Sequence, residues 1–292
     1  MRAVLIKTCL RILAVFPLAW NYRLATRLGK WIARHPNWRI ASVTRTNIEL
    51  CFPDLPASEQ QRWIEKSIIE TCKTFVELGT LWLWRSQKTL SLVKKVSNED
   101  CLQQALAQDK GVILLTPHFG AWEMAGLYAS KHYPMTALYR PPKLLGLNQF
   151  ILDARQRASG RYVATDKTGI KALYQTLKQQ QVIGILPDQV PSRGNGVFAP
   201  FFNQPADTMV LVARFASKTQ APVIFTFAER LDDGFHIHFF PAHPDINSSD
   251  LAISTQALNQ GVEHCIMQQP TQYQWSYKRF KHVPEGQNSI YD

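Results

Sequence analysis

Acidic residues are scarce in this chain of 292 residues, where 22 Asp and Glu face 33 Lys and Arg for a formal net charge of +11. The shortage is most severe at the start: residues 1–50 carry nine basic side chains and a single acidic one, Glu49. Such a balance disfavours a basic partner and points to an anionic one, whether nucleic acid, a membrane surface or an acidic carrier protein. Cysteine is also sparse. Cys9, Cys51, Cys72, Cys101 and Cys265 are odd in number and scattered, with no C-x-x-C pair, which argues against a disulfide framework or a structural zinc site and for a reducing compartment. Long apolar runs are missing too. Lys7 and Arg11 interrupt "MRAVLIKTCLRILAVFPLAW", so the longest clean run is residues 12–20, about half of the roughly 20 residues a membrane span requires. No small-residue cleavage site follows it, against a secretory signal. Internal repeats and low-complexity linkers are absent as well.

What is present suits a large folded unit, since 46% of the residues are hydrophobic and 11% aromatic, enough for a substantial core. Residues 1–34 combine the basic excess with Leu, Ile, Val and Trp. Nucleic-acid binders interleave basic residues with polar or aromatic contacts on a folded surface, so no nucleic-acid partner is expected. We read residues 1–34 as a helix lying in a bilayer interface, with Trp20, Tyr22 and Trp31 as anchors and the arginines meeting lipid phosphates. The competing reading is a helix packed on the protein's own core.

A second helix is expected up to Cys51, stopped by Pro53 and Pro56, and a third from a capping box at "SEQQ" (Ser58, Gln61) to about Trp84. Its end, "LWLWR", reads as core or as a second membrane-facing patch. From residue 98 helices and strands alternate. "GVILLT", "MTALY", "RYVAT", "QVIGILP", "APVIFTFAER" and "GFHIHFFPA" read as strands. "EDCLQQALAQ", "AWEMAGLYASK", "LNQFILDARQRA", "GIKALYQTLKQ", "DTMVLVARFASKT" and "LAISTQALNQGVEHCIMQ" read as helices. Apolar strands separated by amphipathic helices imply an α/β fold, with a mainly parallel or mixed central sheet covered by helices on both faces. Asp233-Gly234 adds one antiparallel hairpin. The expected organisation is a membrane-associating helix over 1–34 and one α/β domain over 35–292.

In such sheets functional residues gather at the carboxyl ends of strands. "GVILLTPHFGAWEM" puts His118 where a strand ends and Glu123 five residues later. Five residues on one helix are about 140° out of alignment, so a pair requires His118 on the turn and Glu123 in the first turn of the following helix. A carboxylate that accepts one imidazole N–H leaves the other nitrogen basic. The plain alternative is an ordinary strand-to-helix turn. The spacing is not the H-E-x-x-H of helical zinc sites, and no metal is expected. Other strand ends carry Arg140 in "YRPP", with Arg155 and Arg157 close behind in "LDARQR", and then Asp188 and Gln189 in "LPDQ", ahead of a Gly-rich loop. Three strand ends bearing these groups describe a site.

"TPHFGAWEM" resembles the H-x4-[DE] signature of the glycerolipid-type acyltransferase superfamily. Together with "YRPP", "GILPDQ", "FFNQPADT" and the terminal "QWSYKRFK", the chain is similar over nearly its whole length to the late acyltransferases of lipid A biosynthesis. The resemblance implies transfer of a fatty acyl group from acyl carrier protein to a hydroxyl of an anionic glycolipid, a lipid A precursor, at the cytoplasmic face of the cell inner membrane. It implies His118 as general base with Glu123 as its partner, and a substrate or oxyanion role for Arg140, Asp188 and Gln189. The arginine that the family uses between these blocks falls on Arg140, Arg155 or Arg157. No G-x-S-x-G nucleophile setting is present, which favours direct transfer over an acyl-enzyme, and no cofactor is implied. The alternatives are an acyltransferase of the same fold that acts on another glycolipid or uses acyl-CoA, and a peripheral membrane protein that binds lipid without transforming it.

Overall fold

A computed structural model describes residues 1–291. Five helices come first: α1 (Arg2–Val15), α2 (Leu18–Ala33), α3 (Arg39–Cys51), α4 (Ala57–Leu83) and α5 (Ser86–Leu90). An alternating series follows: β1 (Val93–Ser97), α6 (Glu99–Leu106), β2 (Val112–Leu115), α7 (Trp122–His132), β3 (Met135–Tyr139), α8 (Asn148–Gln156), β4 (Arg161–Ala164), α9 (Lys167–Lys178) and β5 (Val182–Ile185). The chain closes with β6 (Gly196–Phe201), β7 (Gln204–Met209), α10 (Leu211–Thr219), β8 (Val223–Arg230), β9 (Phe235–Pro241) and α11 (Leu251–Gln268).

The central sheet has seven strands in the order β1-β9-β8-β2-β5-β3-β4. β8, β2, β5, β3 and β4 run parallel, and the hairpin through Asp233-Gly234 makes β9 antiparallel to β8, as expected. β1 at the edge runs with β9. Alternate residues of one strand face opposite sides of the sheet. Accordingly Ile113 and Leu115 of β2 join a core built with α2, α3, α4, α9, α10 and α11. Val112 and Leu114 join a second one with α6 and α7. Each fully buried aliphatic side chain in these layers contributes about 1.5–3 kcal/mol, so the helical covering of both faces follows from the apolar strands.

Several local expectations need correction. Residues 1–34 form two helices, because Pro17 has no amide hydrogen to continue the first and Phe16 is extended at φ −84 and ψ 149. Tyr22 is buried and its hydroxyl donates to Glu77 at 2.7 Å, so it is no interfacial anchor. The proposed capping box is not formed; α4 starts at Ala57 behind Pro56 with no side-chain cap. Of the two readings of "LWLWR" the core one holds, with Leu81 buried, Trp82 bonded to Glu123 and the Trp84 indole donating to the Ala14 carbonyl. β1 was not expected, since Lys94 and Lys95 interrupt its apolar pattern. Residues 196–209, read as a loop and the start of a helix, form a β6–β7 hairpin. Its turn residues Phe202 and Asn203 both have positive φ, and Arg279 ties Asp207 and Thr208 into the fold. These tertiary bonds override the helical pattern of "DTMVLVARF".

The N-terminal helices leave apolar surface uncovered. Trp20, Leu24, Leu28 and Trp31 of α2 are exposed, as are Val4, Leu5, Ile12 and Val15 of α1, beside the exposed Arg23, Arg27 and Lys30. The opposite side of α2 is buried, with Ala25 and Ile32 in the core. Among the described residues no helix is long and apolar enough to cross a membrane.

Candidate active site

Because β2, β5 and β3 are parallel neighbours, their carboxyl ends lie on one edge of the sheet, and the residues after them meet there. His118 follows β2, Asp188 and Gln189 follow β5, and Arg140 follows β3. His118, Gln189 and Arg140 open onto a cavity of about 640 Å³, within the range of small-molecule sites. Its floor is formed by strand and helix residues such as Leu114, Met135, Ala137, Ile185 and Gly126. The apolar part of the lining therefore comes from the sheet and from α7. At the mouth, the exposed Arg140 and Lys167 bring two positive charges and the exposed Asp166 one negative charge.

As the helical arithmetic requires, His118 lies on the turn and Glu123 in the first turn of α7, and both line the cavity. Their hydrogen-bond partners differ from the expected pair. The His118 Nδ1 is 2.8 Å from the Asp188 Oδ1, and the His118 backbone N–H donates to Asp188 Oδ2 at 2.9 Å. Asp188 is buried, which opposes its ionisation, but the facing His118 and these hydrogen bonds prevail and hold the carboxyl below its ordinary value. A carboxylate on Nδ1–H makes Nε2 the basic nitrogen. The Gln189 Nε2 lies 3.2 Å from it, and Trp122 packs edge-on to the imidazole at 5.1 Å between ring centroids.

Glu123 instead binds Arg155. The Arg155 Nε donates to both carboxylate oxygens at 3.2 and 3.1 Å, its Nη2 donates to Oε1, and the Trp82 indole adds a bond of 3.0 Å to Oε2. Burial disfavours the Glu123 anion, yet Arg155 and Trp82 keep its carboxyl below the usual range. Arg155 lines the cavity while engaged in this pair. Arg157 does not line it: its guanidinium donates to the carbonyls of Leu81, Trp84 and Ala154 and so satisfies the C-terminal end of α4, where cations are favoured.

The loop that presents His118 is fixed from behind. Gly120 N–H donates to Gln272, Ala121 N–H to Ala228 of β8, and Gln274 N–H to the His118 carbonyl. Gly120 has φ +54, and a Cβ there would stand 2.1 Å from the Ala228 oxygen, so only glycine fits. Its carbonyl accepts from Arg230 at 3.0 Å. That guanidinium, wholly buried, is held doubly by Glu77 at 2.8 Å and also by Glu70 and Thr74. Burial penalises the cation, but Glu77 holds it firmly protonated. Sequence reading missed Arg230, Trp82, Trp122, Asp166 and Lys167. The last two follow β4, the next parallel strand, and the same strand-end rule finds them. Arg230 and Trp82 had no local signal.

An imidazole held by a buried carboxylate, with amide and guanidinium groups on the same cavity, is an arrangement compatible with acyl transfer, and comparison with known proteins gives the family. The chain belongs to the bacterial lipid A biosynthesis acyltransferase family, whose model matches residues 2–282. It is 28% identical over 272 residues to the lipid A biosynthesis palmitoleoyltransferase of Escherichia coli (strain K12), covering 92% of this chain and 87% of that one. The lauroyltransferase of the same organism is 27% identical over 276 residues, with 92% and 88% covered. A phosphatidylinositol mannoside acyltransferase of Mycobacterium tuberculosis is similar over a shorter stretch, 28% over 171 residues, or 57% of this chain and 54% of the relative.

Proposed function

We propose that the protein moves a fatty acyl chain from the thioester of acyl carrier protein to a hydroxyl of a lipid A precursor, with His118 as general base, at the cytoplasmic face of the inner membrane. The observation that carries this is His118 itself: Nδ1 is fixed by the buried Asp188, and Nε2 meets Gln189 at an apolar cavity. A sugar hydroxyl or the hydroxyl of an acyl chain is a weak nucleophile at neutral pH, and a positioned base lowers the barrier. Nε2 takes the hydroxyl proton as the oxygen attacks the thioester carbonyl. The C–O bond forms and negative charge moves to the carbonyl oxygen, for which Gln189 and Arg140 of the cavity lining are the donors in this scheme. Collapse breaks the C–S bond, and the departing thiolate receives the proton from the imidazolium. In this scheme Asp188 takes the orienting role first assigned to Glu123, and Glu123 with Arg155 forms the adjacent wall.

The mouth charges Arg140 and Lys167 suit an anionic glycolipid, and the net charge of +11 suits an acidic carrier protein. The exposed apolar row on α2 with its flanking arginines supports docking on an anionic membrane surface. The similarity to the mannoside acyltransferase favours one competing reading, the same chemistry on another glycolipid. Mass spectrometry of lipid A from a strain lacking the gene distinguishes the two. Loss of one secondary acyl chain is expected, and unaltered lipid A beside another changed glycolipid overturns the acceptor assignment. Rates with purified protein and either acyl carrier protein thioester or acyl-CoA test the donor.

A further inference from the structure

Behind the loop that carries His118, three side chains converge that none of the chemistry above uses. Glu229 lies on β8, and His236 and His238 lie on β9. Residues two apart on a strand share a face, so the H-x-H of "GFHIHFF" presents both imidazoles on one side. The antiparallel register sets Glu229 directly opposite His236. The Glu229 Oε2 is 2.9 Å from the His238 Nε2 and 3.8 Å from the His236 Nδ1, and the three ligand atoms lie within 4.8 Å of one another. Tetrahedral zinc with bonds of about 2.0–2.2 Å sets its ligand atoms roughly 3.4 Å apart, so small movements bring this set to coordinating distance.

The surroundings prepare the ligands. The Ser97 hydroxyl of β1 is 2.8 Å from the His236 Nε2, which occupies that nitrogen and leaves Nδ1 for an ion, the usual outer-shell arrangement of metal-bound histidines. Phe227 stacks on His238 at 4.5 Å with an interplanar angle of 14° and fixes the ring. The three side chains are 11%, 20% and 21% exposed, open enough for an ion and a water to enter. Lys95, opposite His236 in the β1–β9 register, is the opposing charge, and it is exposed to solvent.

We propose that Glu229, His236 and His238 bind one divalent transition-metal ion of the zinc type, completed by water, and that the ion clamps β8 to β9. Two imidazoles and a carboxylate are a ligand set that zinc favours over calcium or magnesium. None of the three lines the cavity, so the ion acts away from the His118 site, on the β8–β9 pair. It steadies the strand whose neighbouring residues Ala228 and Arg230 hold Gly120 and Ala121.

The test uses untagged full-length protein, stripped by chelator and titrated with zinc chloride by calorimetry, with metal content measured after desalting. One zinc per chain is expected, with a melting temperature that rises with zinc concentration, as binding to the folded state alone requires. Glu229→Gln and His238→Gln should each abolish this rise while keeping the wild-type circular dichroism spectrum, and Ser97→Ala should weaken zinc affinity about tenfold or more. Absence of zinc binding by the wild-type protein overturns the proposal. So does binding that is equally strong in His236→Ala/His238→Ala, which would put the ion elsewhere.

Discussion

Asp188 engages His118 twice, through Nδ1 and through the backbone N–H, so it sets both the tautomer and the position of the imidazole. Asp188→Asn retains the volume but offers an N–H where an acceptor is needed. We expect kcat to fall about 10²–10⁴-fold, the range of general-base effects, with KM nearly unchanged. Glu123 and Arg155 form a charge pair in the wall beside His118. Arg155→Ala leaves a carboxylate that is 9% exposed without its cation, and breaking a buried pair costs about 3–5 kcal/mol, readable in urea denaturation. Replacing both partners by Leu should recover much of that loss. The two carboxyls also set a pH dependence. Both are depressed below their ordinary values in the folded protein, so their contribution to stability is complete above the ordinary carboxyl range, near pH 4, and is lost as pH falls through the folded values. Melting temperature should drop steeply below about pH 4, and the drop should be shallower in Asp188→Asn and Glu123→Gln.

The turn between β2 and α7 is the element on which the site depends. A side chain at Gly120 meets the Ala228 carbonyl and a left-handed backbone, so Gly120→Ala should lose about 1–3 kcal/mol from backbone strain alone, and more from the collision, with loss of transfer activity at permissive temperature. At this scale the sequence was readable wherever the signal was local. The six apolar strands and their helices, the Asp233-Gly234 hairpin and the shared edge of His118, Arg140 and Asp188 all follow from periodicity and turn residues. The pairing of His118 with Asp188 does not. It joins residues 70 positions apart, and it exists because β5 crosses over to lie beside β2, a strand order that periodicity does not encode. Glu123, five residues away and of the right chemistry, was the nearer choice, yet Arg155 and Trp82 claim it. The β6–β7 hairpin was hidden for a related reason, since its polar residues are satisfied by Arg279, Asn259 and His282 from the end of the chain.

For the molecule as a whole, the N-terminal helices serve two faces. One side of α2 belongs to the core and to the Tyr22–Glu77–Arg230 chain of contacts that ends at Gly120, so removal of residues 1–34 should destabilise the fold as well as weaken any membrane contact. Changing only the exposed row separates these effects. Trp20→Ser, Leu24→Ser, Leu28→Ser and Trp31→Ser together should reduce sedimentation with anionic vesicles while leaving the melting temperature near that of the wild type. Binding should also weaken as salt screens the flanking arginines. The central claim, that this cavity transfers acyl groups with His118 as the base, is tested most directly by one rate. With acyl carrier protein thioester and a lipid A precursor, purified His118→Ala should retain the wild-type circular dichroism spectrum and lose about 100-fold or more of its transfer rate; transfer at a near wild-type rate would contradict it.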